Sequence, residues 1–236
     1  FCLFALIGIL SLYFGTSSLS SELPGKVGMS HETCAASIKR WLGDGSIKKF
    51  TTIVDYRKIG LDVAAYVLVG CDLNYADSIR TTLENAVTWE GVESAFTVYG
   101  DLDIILRLVT PSLYDLGVFS SNALKRELCQ YPQSATLVVD HRLREWGIEY
   151  RPEEQRIAGQ VSLEEYDIAI LRKLQEDSQV RHDPLALGNQ VGLKREEVLK
   201  RIVDLEKKRV ILGHTIVFEA TRFGMLRAFV KLDITT

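Results

Sequence analysis

Cationic side chains crowd one stretch of this sequence that also carries a helical pattern. Residues 191–212 read VGLKREEVLKRIVDLEKKRVIL, and across residues 181–209 eight Lys and Arg stand against five Asp and Glu, a net charge of +3. Lys194, Arg195, Lys200 and Arg201 fall early in that helix. Cations placed there can neutralise phosphates or hydrogen-bond guanine edges. A weaker cluster lies in residues 21–49, with five cations and three anions. Within it Ser30, His31, Thr33, Lys39 and Arg40 can hydrogen-bond bases or contact the nucleic-acid backbone. The centre, residues 63–147, holds six cations and eleven anions, so a whole-chain charge of −3 conceals two basic ends. Glu196, Glu197, Asp204 and Glu206 weaken the attraction to phosphate, and an ordinary solvated helix can also be basic.

Catalysis has no comparable signal. The histidines His31, His141, His182 and His214 sit in no HExxH, and neither GxSxG, a P-loop nor GxGxxG occurs. His141 follows Asp140 on a predicted strand, where successive side chains point to opposite faces, so the two do not form a catalytic pair. Cys2, Cys34, Cys71 and Cys129 show no metal-ligand spacing and read as free thiols of a reducing cytoplasm. The expectation is therefore no enzyme, no metal and no cofactor.

The cations need a rigid element to hold them. In residues 162–177, SLEEYDIAILRKLQED, Ser162 and Glu165 suggest a capping box, and Ile168, Leu171 and Leu174, widened by Ile170, recur at helical spacing. DPLALGNQVG reads as a short helix with Asp183 as N-cap, Pro184 at its first position and Gly192 at its end. A third helix begins near Lys194, with Val198, Ile202 and Leu205 on one face, and a β-rich segment follows. Two helices joined by a tight glycine turn can present the second to a major groove, exposing Lys194, Arg195, Glu196, Leu199 and Lys200.

The same plan recurs 164 positions earlier. Val191-Gly192 falls on Val27-Gly28, Ile202 on Ile38, Ile211 on Ile47, Thr215 on Thr51 and Gly224 on Gly60. Leu3, Leu6, Ile7 and Leu10 then form the first helix of a first copy, SSELPGKVG the second, and SHETCAASIKRWLGDG the third, with Cys34, Ile38 and Trp41 inward. That placement favours a buried core helix for the apolar opening, FCLFALIGILSLYFG, over a targeting or membrane segment. No membrane association is expected.

Between the copies the pattern is βαββαβ. DVAAYVLVGCDL, GVESAFTVYG, LDIILRLVT and SATLVVDHRLREW read as strands; YADSIRTTLENAV and SLYDLGVFSSNALKRELCQ read as helices. Two helices on one face leave the other face to a partner subunit, which predicts a homodimer or higher homo-oligomer. The segment IEYRPEEQRIAGQ is polar and reads as a linker.

LEEYDIAILRKLQED (residues 163–177), VGLKREEVLKRIVDLEKKRVI (residues 191–211) and VYGDLDIILRLV (residues 98–109) resemble the Lrp/AsnC family of transcriptional regulators. The resemblance implies an α+β fold: a winged helix-turn-helix, a ferredoxin-like effector domain, then a second winged helix-turn-helix. The boundaries would be 1–60, 61–147, a linker at 148–161, and 162–224, with residues 225–236 as a strand that can open a second effector domain. It implies a cytoplasmic, sequence-specific binder of double-stranded DNA that responds to an amino acid or related small molecule. The effector would sit at the loop of Tyr99, Gly100, Asp101 and Asp103, where glycine allows close approach and an aspartate can accept from an α-ammonium. The chain departs from the family pattern at Ser37, where Arg is usual, and at Lys194, where Ser is usual. A non-DNA-binding assembly module is the main alternative; a siroheme-decarboxylase-like enzyme is a lesser one.

Overall fold

The computed structural model describes residues 28–71, 81, 83–86, 88–100, 102–126, 132–139, 144–145, 148–149 and 160–223. The first two expected helices of the first copy, the strand at 225–236, Asp101, Asp140 and His141 lie outside the described residues. The chain divides into two compact units, one of residues 1–54, 144–149 and 163–236, the other of residues 55–143 and 150–162.

The second unit is an antiparallel sheet. Its strands β2 (Val63–Cys71), β3 (Val92–Thr97), β4 (Ile104–Thr110) and β5 (Pro132–Val139) lie in the order β3-β4-β2-β5. Helix α2 (Leu113–Arg126) packs against β4 and β2. Alternation sends Val67, Val69, Leu106 and Leu108 into a core that also holds Ala86 and Leu116. The central strand β4 is buried along its whole length. Ile105, Arg107 and Val109 point away from the core face and are nonetheless buried within the single chain. Arg107 tolerates burial because it forms an ion pair with Glu93 of β3. Of the last expected strand, residues 132–139 are described as β5, and Arg144–Glu145 (β6) pairs with Ile148–Glu149 (β7), which fall in the other unit.

The first unit holds helix α1 (His31–Gly43) and strand β1 (Ile47–Val54) from one end of the chain. From the other end it takes α3 (Glu165–Glu176), α4 (Pro184–Val191), α5 (Arg195–Lys207) and β8 (Ile211–Phe218). α5 forms because Val198, Ile202 and Leu205 return at steps of four and three and are all buried, while charged residues fill the rest of the turn. Glu196 and Glu197 in its first turn and Lys207 in its last suit the helix dipole. α3 begins two residues later than the Ser162 capping box predicts. Glu164 is the N-cap, and its N–H donates to Asp167 Oδ2 at 3.0 Å. The buried face of α3 is Ile170, Leu171 and Leu174, whereas Ile168 is exposed.

β1 and β8, far apart in sequence, pair antiparallel, with Thr51 opposite Thr215, Phe50 opposite Ile216 and Thr52 opposite His214. α3 packs on β1, and Lys49 Nζ and Thr51 Oγ1 donate to the carbonyl of Gln175 at its C-terminal end, at 3.1 and 2.8 Å. These bonds satisfy a carbonyl that the helix itself leaves open. Among the described residues, Thr215 Oγ1 is buried without a hydrogen-bond partner.

Candidate nucleic-acid interface

Residues 183–207 form α4, a turn and α5. Asp183 caps α4, its carboxylate accepting from the Ala186 N–H at 3.0 Å, and Pro184 occupies the first turn. Gly192 ends the helix in the left-handed region at φ 76°, and both it and Leu193 donate their N–H to the Gly188 carbonyl. Gly188 has a separate reason to be glycine. A Cβ there would stand 2.5 Å from the Leu193 carbonyl oxygen. Sequence reading missed this residue, because the requirement is the close approach of the turn and not a special backbone angle.

Beyond the turn, Lys194 is the N-cap of α5, and its N–H donates to Glu197 Oε2 at 3.3 Å. The Lys194, Arg195 and Lys200 side chains are exposed, and among the described residues none has a partner. Leu199 and Val203 lie on the same outer side, also exposed. The segment thus offers three cations and Leu199 at its leading turns, with Val203 one turn further on.

Arg201, by contrast, is engaged within the chain. Its Nη1 donates to Asp167 Oδ1 at 2.8 Å and its Nη2 to Glu164 Oε2 at 2.6 Å, and its guanidinium lies 5.7 Å from the centroid of the Tyr166 ring. Those hydrogen bonds to Asp167 and Glu164 hold its pKa above even the ordinary arginine value. Arg201 therefore ties α5 to the start of α3 and does not project a free guanidinium. Arg181, counted among the basic residues, is likewise engaged internally, with His214 Nε2 and with Glu206 Oε1.

That contact fixes the state of His214. Arg181 donates to Nε2, so Nδ1 carries the proton and donates to Thr52 Oγ1 at 2.9 Å. Burial, followed by the Arg181 and His182 charges, lowers the His214 pKa from 6.5 to about 3. The unfolded chain takes up a proton near pH 6.5 and the folded chain does not, so stability rises with pH between about 3 and 6.5. Between pH 6.5 and 5, where the carboxylates stay ionised, this group should cost about 1.5 kcal/mol in all, with the slope approaching about 1.4 kcal/mol per pH unit toward the acid end. Urea denaturation at pH 7 and pH 5 checks it: His214→Gln should flatten the dependence, and an unchanged slope would reject the assignment.

At the start of α1, Ser30 and Thr33 have a local task. Ser30 caps α1, its Oγ accepting the Thr33 N–H at 3.2 Å and lying 2.9 Å from Thr33 Oγ1. His31, Lys39 and Arg40 are exposed; the hydrogen bonds from Ser46 first, and after them the charge of Arg40 close by, help hold the Asp44 carboxyl below its ordinary value. Cys34 and Trp41 are buried and Ile38 is half-buried.

Of the expected effector residues, Tyr99 and Gly100 lie at the exposed tip between β3 and β4, with Gly100 at φ 140°. Nothing stands within 4 Å of where a Gly100 Cβ would be, so a single chain does not itself force glycine through close packing. Asp103 secures the tip through its backbone: its carbonyl accepts from Val98 N–H at 3.0 Å and its N–H donates to the Val69 carbonyl at 2.9 Å. Among the described residues no cluster of His, Cys, Asp and Glu is placed to hold a metal ion, and no helix is long and apolar enough to cross a membrane.

A glycine-turned helix pair followed by a strand, with bare cations on its second helix, defines a helix-turn-helix protein. The chain is 34% identical over 103 residues to the transcriptional regulator AzlB of Bacillus subtilis, covering 44% of this chain and 66% of that one, just under two thirds of its length. It is 30% identical over 118 residues to an uncharacterized HTH-type transcriptional regulator of Pyrococcus furiosus, covering 50% of this chain and 78% of that one. It belongs to the HTH-type transcriptional regulators. Solved AsnC structures are structural neighbours at TM-scores of 0.47 and 0.49. A solved siroheme decarboxylase shares the fold over 91% of this chain and 65% of its own, with a TM-score of 0.52 and 15% identity. No family model matches the chain.

Proposed function

We propose that this regulator acts as an Lrp/AsnC-type protein whose second head reads duplex DNA with the leading turns of α5. The observation that carries this is the exposed and unpartnered set Lys194, Arg195 and Lys200 on the helix that follows the glycine turn. Such cations meet phosphates and guanine edges, and Leu199 and Val203 beside them suit thymine methyl groups.

The domain reading is a winged helix-turn-helix over 1–60, an effector domain over 61–147, a linker over 148–161 and a second winged helix-turn-helix over 162–224. Duplication of the head is supported by landmarks that recur 164 residues apart. α1 and α5 start and end at this offset, as do β1 and β8. Gly28 and Gly192 both have positive φ, as do Gly45 and Arg209. The effector would be an amino acid or related small molecule bound at the tip of Tyr99, Gly100, Asp101 and Asp103. An aspartate there would take the ammonium, and backbone N–H groups the carboxylate. Homo-oligomerisation is supported by an exposed apolar face of α2, where Leu113, Tyr114 and Val118 stand together. The working compartment is the cytoplasm, where the DNA lies.

A mobility shift with duplex DNA from the protein's own promoter, at several salt concentrations, tests the reading. Affinity should fall steeply with salt, and Lys194→Ala with Arg195→Ala should weaken it about 10- to 100-fold while leaving the melting temperature unchanged. Absence of any binding at low salt would replace the regulator by an assembly module.

A further inference from the structure

The pairing of β1 with β8 carries more than a shared sheet. Thr51 and Thr215, the residues placed directly opposite each other, are also each other's counterparts at the offset of 164. On either side the relation is reciprocal. Phe50 pairs with Ile216 and Thr52 with His214, while the counterpart of Phe50 is His214 and that of Thr52 is Ile216. An antiparallel ribbon with such a register has a local twofold axis through the Thr51–Thr215 pair, perpendicular to the ribbon. This is the isologous geometry of a homodimer interface, formed here inside one chain.

Rotation about an axis preserves height along it. Whatever side of the ribbon α5 faces along the axis, α1 faces the same side. The outward residues are not the same, however. Where α5 presents Arg195, Leu199, Lys200 and Val203, α1 presents His31, Ala35, Ala36 and Lys39, all exposed. The first set places its cations and a bulky leucine in the leading turns. The second is slim at that level and places its cation one turn later. Only the glutamate is common to both, Glu32 and Glu196.

We propose that one chain is a complete reader of an asymmetric operator, with α1 and α5 contacting two unlike half-sites about one helical turn apart in the same duplex. The inference rests on the DNA-binding reading above. It adds a base-contacting role for His31 and Lys39, and a stoichiometry of one chain for both half-sites. A homodimer of single-headed chains would require identical halves, because both of its reading helices have the same sequence.

Selection of the full chain on random 40-base-pair duplexes at low salt, followed by footprinting and mass measurement of the complex, tests it. The expected result is two protected segments about 10 base pairs apart, of different sequence, with both heads of one chain engaged. His31→Ala with Lys39→Ala should relax base preference in one segment only, and Arg195→Ala with Leu199→Ala in the other only, each with about a 10-fold loss of affinity. All four side chains are exposed, so melting curves should be unchanged and misfolding is excluded as the cause. Two identical half-sites, or a single protected segment indifferent to His31 and Lys39, would overturn this inference and leave DNA binding by the second head standing. Failure to select any duplex would remove the DNA-binding reading and this inference together.

Discussion

Gly188→Ala should destabilise the second head by about 2–4 kcal/mol and abolish its DNA affinity, although the residue touches no DNA in any reading of the fold. The added methyl would meet the Leu193 carbonyl at 2.5 Å, with Val198 Cγ2 a further 3.5 Å contact. Neither neighbour is free to retreat. Leu193 is tied to Gly188 itself through its N–H, at 2.9 Å, and Val198 is a core residue of α5. The strain can be relieved only by opening the turn, which displaces the helix that carries Lys194, Arg195 and Lys200. Gly192→Ala is the internal comparison. It places an L-residue at φ 76° with open space around the new methyl, so it should cost about 1 kcal/mol. Hydrogen exchange of the α5 amides in urea separates the two, because it reports opening of this head irrespective of the other unit. Equal protection in both variants would show that the turn yields more easily than its geometry implies.

How legible each feature was follows from how local its cause is. The caps of α4 could be read directly, because Asp183, Pro184 and Gly192 act within their own turn. The buried face of α5 could be read from spacing, because a helix period needs no knowledge of the partner. The four strands of the sheet could be read as part of a βαββαβ order, which needs no knowledge of their register. The internal partners of Arg201 could not be read, because Asp167 and Glu164 lie more than thirty residues away and spacing within α5 contains nothing about them. The start of α3 was misplaced because Ser162 and Glu165 imitate a capping box that Glu164 and Asp167 form instead. The offset of 164 disclosed that two segments are alike but not that they pair. Pairing depends on a register, and only the positions of Thr51 and Thr215 across the ribbon reveal it. The effector tip is legible only as far as a glycine and its neighbours.

Arg201→Ala should lower the stability of the second head by about 1–3 kcal/mol without changing the salt dependence of DNA binding by the folded protein. Two charge-assisted hydrogen bonds are lost, and they are the ones that join α5 to the first turn of α3. The larger part of the loss comes from Asp167, whose side chain is 13% exposed and, among the described residues, would keep only the Glu164 N–H as hydrogen-bond donor. The Glu164 carboxylate is 70% exposed, so water replaces its lost partner and it contributes little. A double-mutant cycle with Asp167→Asn isolates the pair: the two substitutions together should cost less than the sum of each alone. Arg201→Lys should recover part of the loss, since an ammonium keeps the charge but cannot bridge both carboxylates with a planar fork. A phosphate-contacting Arg201 makes the opposite forecast. Its removal would leave stability intact and reduce the salt slope by about one, as Lys194→Ala is expected to do. The two assignments for the same side chain are therefore separated by measuring one melting curve and one salt titration on a single variant.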